Sequence, residues 1–367
     1  MLEFLTLHPN AFGLDISDMS LKFVYLKKSA RGVHVASFGE FPIPEGFIAQ
    51  GEIKKEEELA ALIKKSLRTP QGEKISTKHV VASLPEEQAF LQVIQLPKMG
   101  VKELQGAASF EAENYIPYPL ETVYVDSEFV EPVKDHLDHA DVLLASLPKT
   151  IVDSYVKVFE KAGLLVQALE IESLAVARAL VPQGVSLAPL LLVDFGATRT
   201  SVLVFVGHSM RFTASIPVAS HQFTAAISKA LGVNFAKAEE LKKAYGLKQR
   251  GKSEGGKVFE SLVPSLVDLV EQVKKYMEYY ASHATHQHLL KEERTIQKVL
   301  LTGGGANLPG LLEFLESELN TKASIGDAWV NIASKPFGKL PSLPFEESLR
   351  YATALGLALR GLDSTHD

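Results

Sequence analysis

The chain has 367 residues, 46% of them hydrophobic, a formal net charge of −6 and no cysteine. That length suits two or three folding units, the mild acidity without a basic block argues against nucleic acid as the main partner, and the absent thiols exclude disulfides and thiolate metal sites. The opening M-L-E-F-L-T-L-H-P-N has no basic n-region, and no apolar run approaches the roughly 20 residues of a membrane helix, so the expectation is a cytoplasmic protein whose membrane association passes through a partner.

Residues 11–16, 20–28 and 33–41 read as three strands joined by short polar turns. A helix over 55–67 follows, with Leu59, Leu62, Ile63 and Leu67 on one face, then a strand over 78–84. A further unit begins near Pro85, with strand 89–96, helix 101–115, strand 123–131 and strand 140–147. Pro117 and Pro119 stop its helix. Helix 149–162, strand 164–171 and helix 172–181 lead back toward the opening unit.

The second half repeats the first. Strands 189–194, 200–207 and 210–218 form a meander, followed by helices 220–231 and 235–244. The stretch 247–257 reads as a polar, Gly-rich loop. A long helix, about 258–290, shows a stripe of Val258, Leu262, Leu266, Leu269, Val273, Tyr276 and Tyr280. Strand 297–302, helix 308–319, with Pro309 in its first turn, and helix 346–361 complete an α/β pattern.

Two stretches look like copies of one device. A-F-G-L-D-I-S-D-M-S-L-K-F-V-Y-L at 11–26 and L-L-L-V-D-F-G-A-T-R-T-S-V-L-V-F-V at 190–206 each run from an apolar strand ending in Asp, through a small polar turn, into a second strand. L-T-G-G-G-A-N-L-P-G at 301–310 runs a strand through a triple-glycine turn toward a helix. Asp15 and Asp194 suit holding the waters of a phosphate-bound Mg²⁺, or starting an Asx-turn. Gly196, Ala197, Thr198, Arg199 and Thr200 are small enough, or rich enough in donors, to let a backbone approach phosphate oxygens. In the first turn, Ser17, Met19, Ser20 and Lys22 stand in the matching positions. Asp18 places a carboxylate where phosphates are expected, which repels a nucleotide unless Mg²⁺, Lys22 or a backbone turn absorbs it. Gly303, Gly304 and Gly305 let the backbone lie against a nucleoside. Glu239 and Lys242 read equally as an exposed i,i+3 ion pair. Glu172 reads as an acid at a positive helix end. His283, His286 and His288 read as a solvated helix end rather than a metal site.

G-L-D-I-S-D-M-S-L-K at 13–22, F-E-A-E-N-Y-I-P-Y-P-L-E at 110–121, V-D-F-G-A-T-R-T-S at 193–201, A-E-E-L-K-K at 238–243 and L-T-G-G-G-A-N-L-P-G-L at 301–311 resemble, as an ordered set, the actin-like ATPase superfamily of actin, Hsp70, MreB and FtsA. Within it they are most similar to the PilM family of type IV pilus assembly. The resemblance implies a two-lobed α/β fold of duplicated ribonuclease-H-like halves with an FtsA-type 1C insertion. Its subdomains are 1A (10–85, returning at 164–187), 1C (86–163), 2A (188–231, returning at 297–361) and 2B (232–296). It implies ATP and Mg²⁺ as cofactors, the latter at Asp15 and Asp194. The glycine turn becomes an adenosine motif, Glu239 and Lys242 become ribose and adenosine contacts, and Glu172 orients the attacking water of an ATPase that is at most slow. It further implies a PilN-like inner-membrane protein whose N-terminal tail docks between 1A and 1C. Tyr115, Ile116 and Tyr118 are either core or lining of that groove. Other pilus proteins and self-association are possible partners. The functional alternatives are a filament former of the FtsA or MreB kind and a small-molecule kinase on the same fold.

Overall fold

The first strand is buried on both faces, as the apolar run F-G-L-D-I requires. β1 (Phe12–Ile16), β2 (Ser20–Ser29) and β3 (Gly32–Pro42) form an antiparallel meander. The structure is a computed structural model that describes residues 9–29, 32–130, 139–283, 294–332 and 343–362. β4 (Ile48–Ala49) and β5 (Glu52–Ile53) make a small ribbon before α1 (Glu56–Ser66). Helix α1 carries Glu56, Glu57 and Glu58 in its first turn and Lys64 and Lys65 in its last, matching the helix dipole. β6 (Gln71–Gly72) extends β3, and β7 (His79–Leu84) runs parallel to β1.

β8 (Phe90–Pro97), α2 (Val101–Tyr115), β9 (Val123–Val130) and β10 (His139–Pro148) follow. The three strands form their own antiparallel sheet, in the order β8-β10-β9. Ile94, Leu96, Leu104, Ala108, Ala112, Ile116, Val142 and Leu144 close a separate small core with α2. α3 (Lys149–Lys161) leads to β11 (Leu165–Ile171), which joins the first sheet parallel to β7, and then to α4 (Glu172–Leu180). Helix α3 lends Ile151, Tyr155, Val158 and Phe159 to the core of the first sheet.

β12 (Ser186–Phe195), β13 (Thr200–Gly207) and β14 (Ser209–Ile216) repeat the meander. α5 (Ser220–Leu231), α6 (Phe235–Tyr245), α7 (Glu254–His283), β15 (Lys298–Thr302), α8 (Leu311–Leu319) and β16 (Ala323–Ile325) follow. β15 and β16 add parallel strands beside β12. Both large sheets are therefore a three-strand antiparallel meander with parallel strands laid against its first member. That is the duplication expected from the two similar hairpins.

α9 (Phe345–Ser348) and α10 (Ala352–Leu362) return to the first unit. That unit runs to Val185 and resumes at Asp327, while Ser186–Gly326 forms the second. Helix α10 is buried on nearly every side. A Cβ on Gly13 would collide with the Ala354 carbonyl, and one on Gly356 with the Ala175 carbonyl, so glycine lets β1, α10 and α4 meet backbone to backbone.

Several expected boundaries move. Helix α7 starts at Glu254, inside the expected 247–257 loop, because Ser253 caps it: its hydroxyl accepts the Gly256 N–H (3.1 Å) and its carbonyl the Lys257 N–H (3.0 Å). Its expected end near 290 lies outside the described residues. The glycine turn does not run straight into a helix. A 3-10 turn over Gly304–Asn307 intervenes, Gly310 is left-handed (φ +85°), and α8 begins only at Leu311. Pro309 thus precedes the helix, and its carbonyl accepts the Leu247 N–H. The final helix is broken into α9, a 3-10 turn over Leu349–Tyr351, and α10. No helix among the described residues is long and apolar enough to cross a membrane.

Candidate functional site

In the first unit, Asp15 sits near the end of β1 and is buried. The Ser83 hydroxyl donates to its Oδ1 (3.3 Å) and accepts the Ile16 N–H (3.1 Å). Lys22 Nζ lies 3.5 Å from Asp15 Oδ2 and donates to Ser20 Oγ (2.8 Å). The turn Ser17–Met19 is closed by the Ser17 N–H to the Ser20 carbonyl (2.9 Å), with the two hydroxyls 3.1 Å apart. The Met19 carbonyl accepts the Ile43 N–H (2.9 Å).

Asp18 is absorbed by a backbone turn, one of the three possibilities its charge left open. Its Oδ2 accepts the Gln50 N–H and its Oδ1 the Gly51 N–H, each at 3.0 Å. Gln50 and Gly51 have φ of +52° and +76°, so two adjacent N–H groups form an anion-binding concavity filled by the protein's own carboxylate. The Gly51 carbonyl accepts the hydroxyl of Tyr155 (3.1 Å), and the Gln50 carbonyl accepts Gln88 Nε2 (2.9 Å). Burial pushes the Tyr155 phenol far above its ordinary range, and the charges of Glu172, Asp18 and Asp15 add to it.

Glu172 opens α4 and is half-buried. The neighbouring Ser173 N–H is accepted by the buried Glu86 carboxylate (3.2 Å). Glu86 was not singled out from the sequence. Its partner is 87 residues away, and no local pattern signals the pairing.

In the second unit, Asp194 pairs in register with Ser201 and Phe195 with Thr200. The turn between is closed by the Gly196 N–H to the Arg199 carbonyl (3.0 Å). The Gly196 and Ala197 carbonyls accept the N–H groups of Ser220 (3.1 Å) and His221 (3.0 Å), which begin α5. The buried Thr200 hydroxyl donates to the Val218 carbonyl (2.6 Å), so it points inward. Ala197 is exposed and Thr198 half-exposed. Gly303 has φ +85°, and a Cβ there would strike the Asp194 carboxylate and the Phe195 carbonyl. Gly305 is pressed against the Phe195 ring and carbonyl. Two of the three glycines thus bring the turn against Asp194, while Gly304 faces outward.

Glu239 and Lys242 on α6 are not an exposed pair. Lys242 is buried, and its Nζ pairs with Glu239 Oε2 at 2.7 Å and lies within hydrogen-bond reach of the Ser220 carbonyl (3.0 Å), Ser220 Oγ (2.7 Å) and Thr224 Oγ1 (2.7 Å). Thr224 also donates to Glu239 Oε2 (2.6 Å). Burial alone raises the Glu239 carboxyl, but the hydrogen bonds from Lys242 and Thr224 outweigh it and hold the group at about 2. Burial lowers Lys242. Burial and the Lys242 charge also lower His221, whose ring lies 5.0 Å from that of Phe235. The network ties α5 to α6 and leaves Glu239 part-exposed.

His286 and His288 lie outside the described residues, as does the side chain of His283. Among the described residues no cluster of His, Asp and Glu could hold a metal ion by itself.

A groove of about 820 Å³ opens in the first unit between Tyr124–Glu128 of β9 and Gln167–Ile171 of β11. Its floor is apolar, with Leu143, Ala145, Leu147, Val152 and Leu174. β9 pairs with β10 alone and β11 with β7 alone among the described residues, so both walls are open sheet edges. At one end Arg178 holds the buried Glu170 carboxylate with both terminal nitrogens, and Arg360 Nη1 lies 3.7 Å from Glu170 Oε1. Ile116 belongs to the α2 core, whereas Tyr115 and Tyr118 are exposed and do not line this groove.

Comparison with known proteins gives these positions a setting. A family model described as type IV pilus assembly protein PilM matches residues 13–362. Among solved structures, the chain is 26% identical to one in a PilM–PilN type IV pilus biogenesis complex, with a TM-score of 0.77, covering 96% of this chain and 99% of that one. The ethanolamine utilization protein EutJ from Carboxydothermus hydrogenoformans (15% identity, TM-score 0.55, 96% and 89% covered) shares the fold. So does MreB5 of Spiroplasma citri bound to ADP (13%, 0.57, 95% and 95%). Curated relatives include the cell division protein FtsA of Enterococcus hirae, 27% identical over 183 residues (47% of this chain), and that of Pseudomonas aeruginosa, 27% over 223 residues (58%). The chain spans only 41% and 51% of those two relatives.

Proposed function

The chain belongs to the PilM family of type IV pilus assembly proteins, and we propose that it is a cytoplasmic, ATP-binding platform that holds the N-terminal tail of a PilN-like inner-membrane protein. The observation that carries this is the groove between β9 and β11. An extended segment laid there meets two open edges and an apolar floor, the requirements for recognition by strand addition. The chain similar to this one in the PilM–PilN complex supports the choice of partner. The sheet of β8, β9 and β10 with α2 is taken as subdomain 1C, and the partner, not a membrane segment of this chain, brings the protein to the inner membrane face.

For ATP, the fit rests on donors and close approach. Lys22 and the Ser20 hydroxyl offer positive charge and a donor beside Ser17–Met19, and the outward Gly304 leaves room for a nucleoside. We assign the phosphates to the turns 17–20 and 196–200, the nucleoside to Gly303–Gly305 with Glu239, and Mg²⁺, through its waters, to Asp15 and Asp194. Bound Mg²⁺ would offset phosphate charge. Glu172 at the start of α4 is assigned to orienting water, in a protein with at most slow turnover. Lys242, spent on Glu239, Ser220 and Thr224, acts by holding Glu239 in place.

The test uses a fluorescent peptide of the N-terminal segment of the PilN-like protein from the same organism, and ATP–Mg²⁺ by calorimetry. Val125→Glu, on the exposed wall of the groove, should weaken the peptide at least about tenfold, the loss of one good contact, and spare ATP. Asp194→Ala should weaken Mg²⁺-dependent ATP binding by a similar factor and spare the peptide. Unchanged peptide affinity in Val125→Glu would remove the groove from the reading.

A further inference from the structure

The groove and the first hairpin share elements. Helix α3 presents Val152 to the groove, and its Asp153 Oδ1 accepts the hydroxyl of Tyr124, a β9 residue of the groove wall (3.0 Å). Two residues on, the same helix sends the Tyr155 hydroxyl to the Gly51 carbonyl. The N–H of that same Gly51 clasps Asp18 in the middle of the turn Ser17–Met19. Helix α4 repeats the pattern: Leu174 and Arg178 line the groove, and Glu172 is its first residue. The buried Tyr155 hydroxyl thus links α3, through Gly51, to the carboxylate in the first turn.

We propose that Tyr155 is a positioning residue through which occupancy of the groove sets the affinity of the first turn for nucleotide phosphates. The proposal rests on the functional reading above. The two arrangements differ in one bond. With the Tyr155–Gly51 hydrogen bond made, the concavity at Gln50–Gly51 holds Asp18 away from the turn's outer face. With it broken, Gln50–Gly51 is released from α3, and the Asp18 carboxylate it carries shifts with it toward the phosphates it would repel. A segment that wedges against Val152 and the Tyr124–Asp153 pair shifts α3 and biases that choice. Coupling between sites is reciprocal, so ATP must change peptide affinity by the same factor.

The experiment measures peptide affinity with and without saturating ATP–Mg²⁺, and ATP affinity with and without peptide, in wild type, Tyr155→Phe and Val152→Ala. Wild type should show a factor of at least about five in both directions, the lower end for linked sites. Tyr155→Phe keeps the ring and loses only the donor, so each ligand should still bind while the factor falls to near one. Val152→Ala should likewise lower the factor, read as the ratio of ATP affinities with and without saturating peptide. A wild type that binds both ligands with no mutual effect overturns the linkage and leaves the platform reading standing. Tyr155→Phe with the wild-type factor overturns the role of Tyr155. A wild type that binds neither ligand overturns the functional reading, and the linkage falls with it.

Discussion

The two hairpins are alike in topology and unlike in how their turns are held. The β1–β2 turn adds side-chain anchors to its backbone bonds: Asp18 reaches the N–H groups of Gln50 and Gly51, and Asp15 meets Ser83 and Lys22. The β12–β13 turn leans more on backbone: carbonyls 196 and 197 accept from the start of α5, and Gly303 lets a neighbouring turn press on Asp194. Two copies of one frame can thus keep strand order while exchanging the means of anchoring. A side-chain anchor can be removed by one substitution that leaves the backbone alone. A backbone anchor yields only to a change that displaces the chain.

The largest effect should come from the backbone-anchored side. Gly303→Ala adds a Cβ at positive φ and against the Asp194 carboxylate, and should cost more than about 3 kcal/mol in urea unfolding, as combined strain and collision do. A mild effect there would mean the glycine turn is not pinned to β12. Next comes Asp18→Ala, which leaves two N–H groups without their carboxylate and should cost about 2 kcal/mol. Thr198→Ala in the other turn should stay within about 0.5 kcal/mol. Equal losses in the two variants would erase the contrast. A pH-dependent effect is expected in the α5–α6 corner. Glu239 is held well below its ordinary 4.5, at about 2, so its contribution to stability is fully present above 4.5 and fades as the pH falls toward 2. The melting points of wild type and Glu239→Gln should converge across that window. A gap that persists at the acid end would show that the carboxylate's charge is not what stabilises the corner.

The sequence made the frame legible because its signals are local. The strand–Asp–turn–strand pattern, the Gly-rich turn after β15 and the stripe on α7 all lie within short windows. What stayed hidden depends on residues far apart in the chain. Asp18 carries no sign that its partners are Gln50 and Gly51, and positive φ at a glutamine has no sequence signature. The spacing of Glu239 and Lys242 describes a surface pair equally well, and only the packing of α5 on α6 turns the lysine inward. The walls of the cavity between β9 and β11 follow from two sheets that each end, among the described residues, on an edge strand, which strand prediction does not reveal. Tyr115 and Tyr118 attracted notice by their type, while the cavity between β9 and β11 is lined by plainer residues such as Ala145 and Leu174.

Helix α10 carries one more consequence, this time for the order of events during synthesis. The second unit is an unbroken stretch, Ser186–Gly326, and leaves the ribosome whole. The first unit begins earlier but has its middle filled by Ala352–Leu362, which wedges against Gly13 and Ala175. The half that is started first is therefore the half finished last. Until its plug arrives, β1 waits with one face bare.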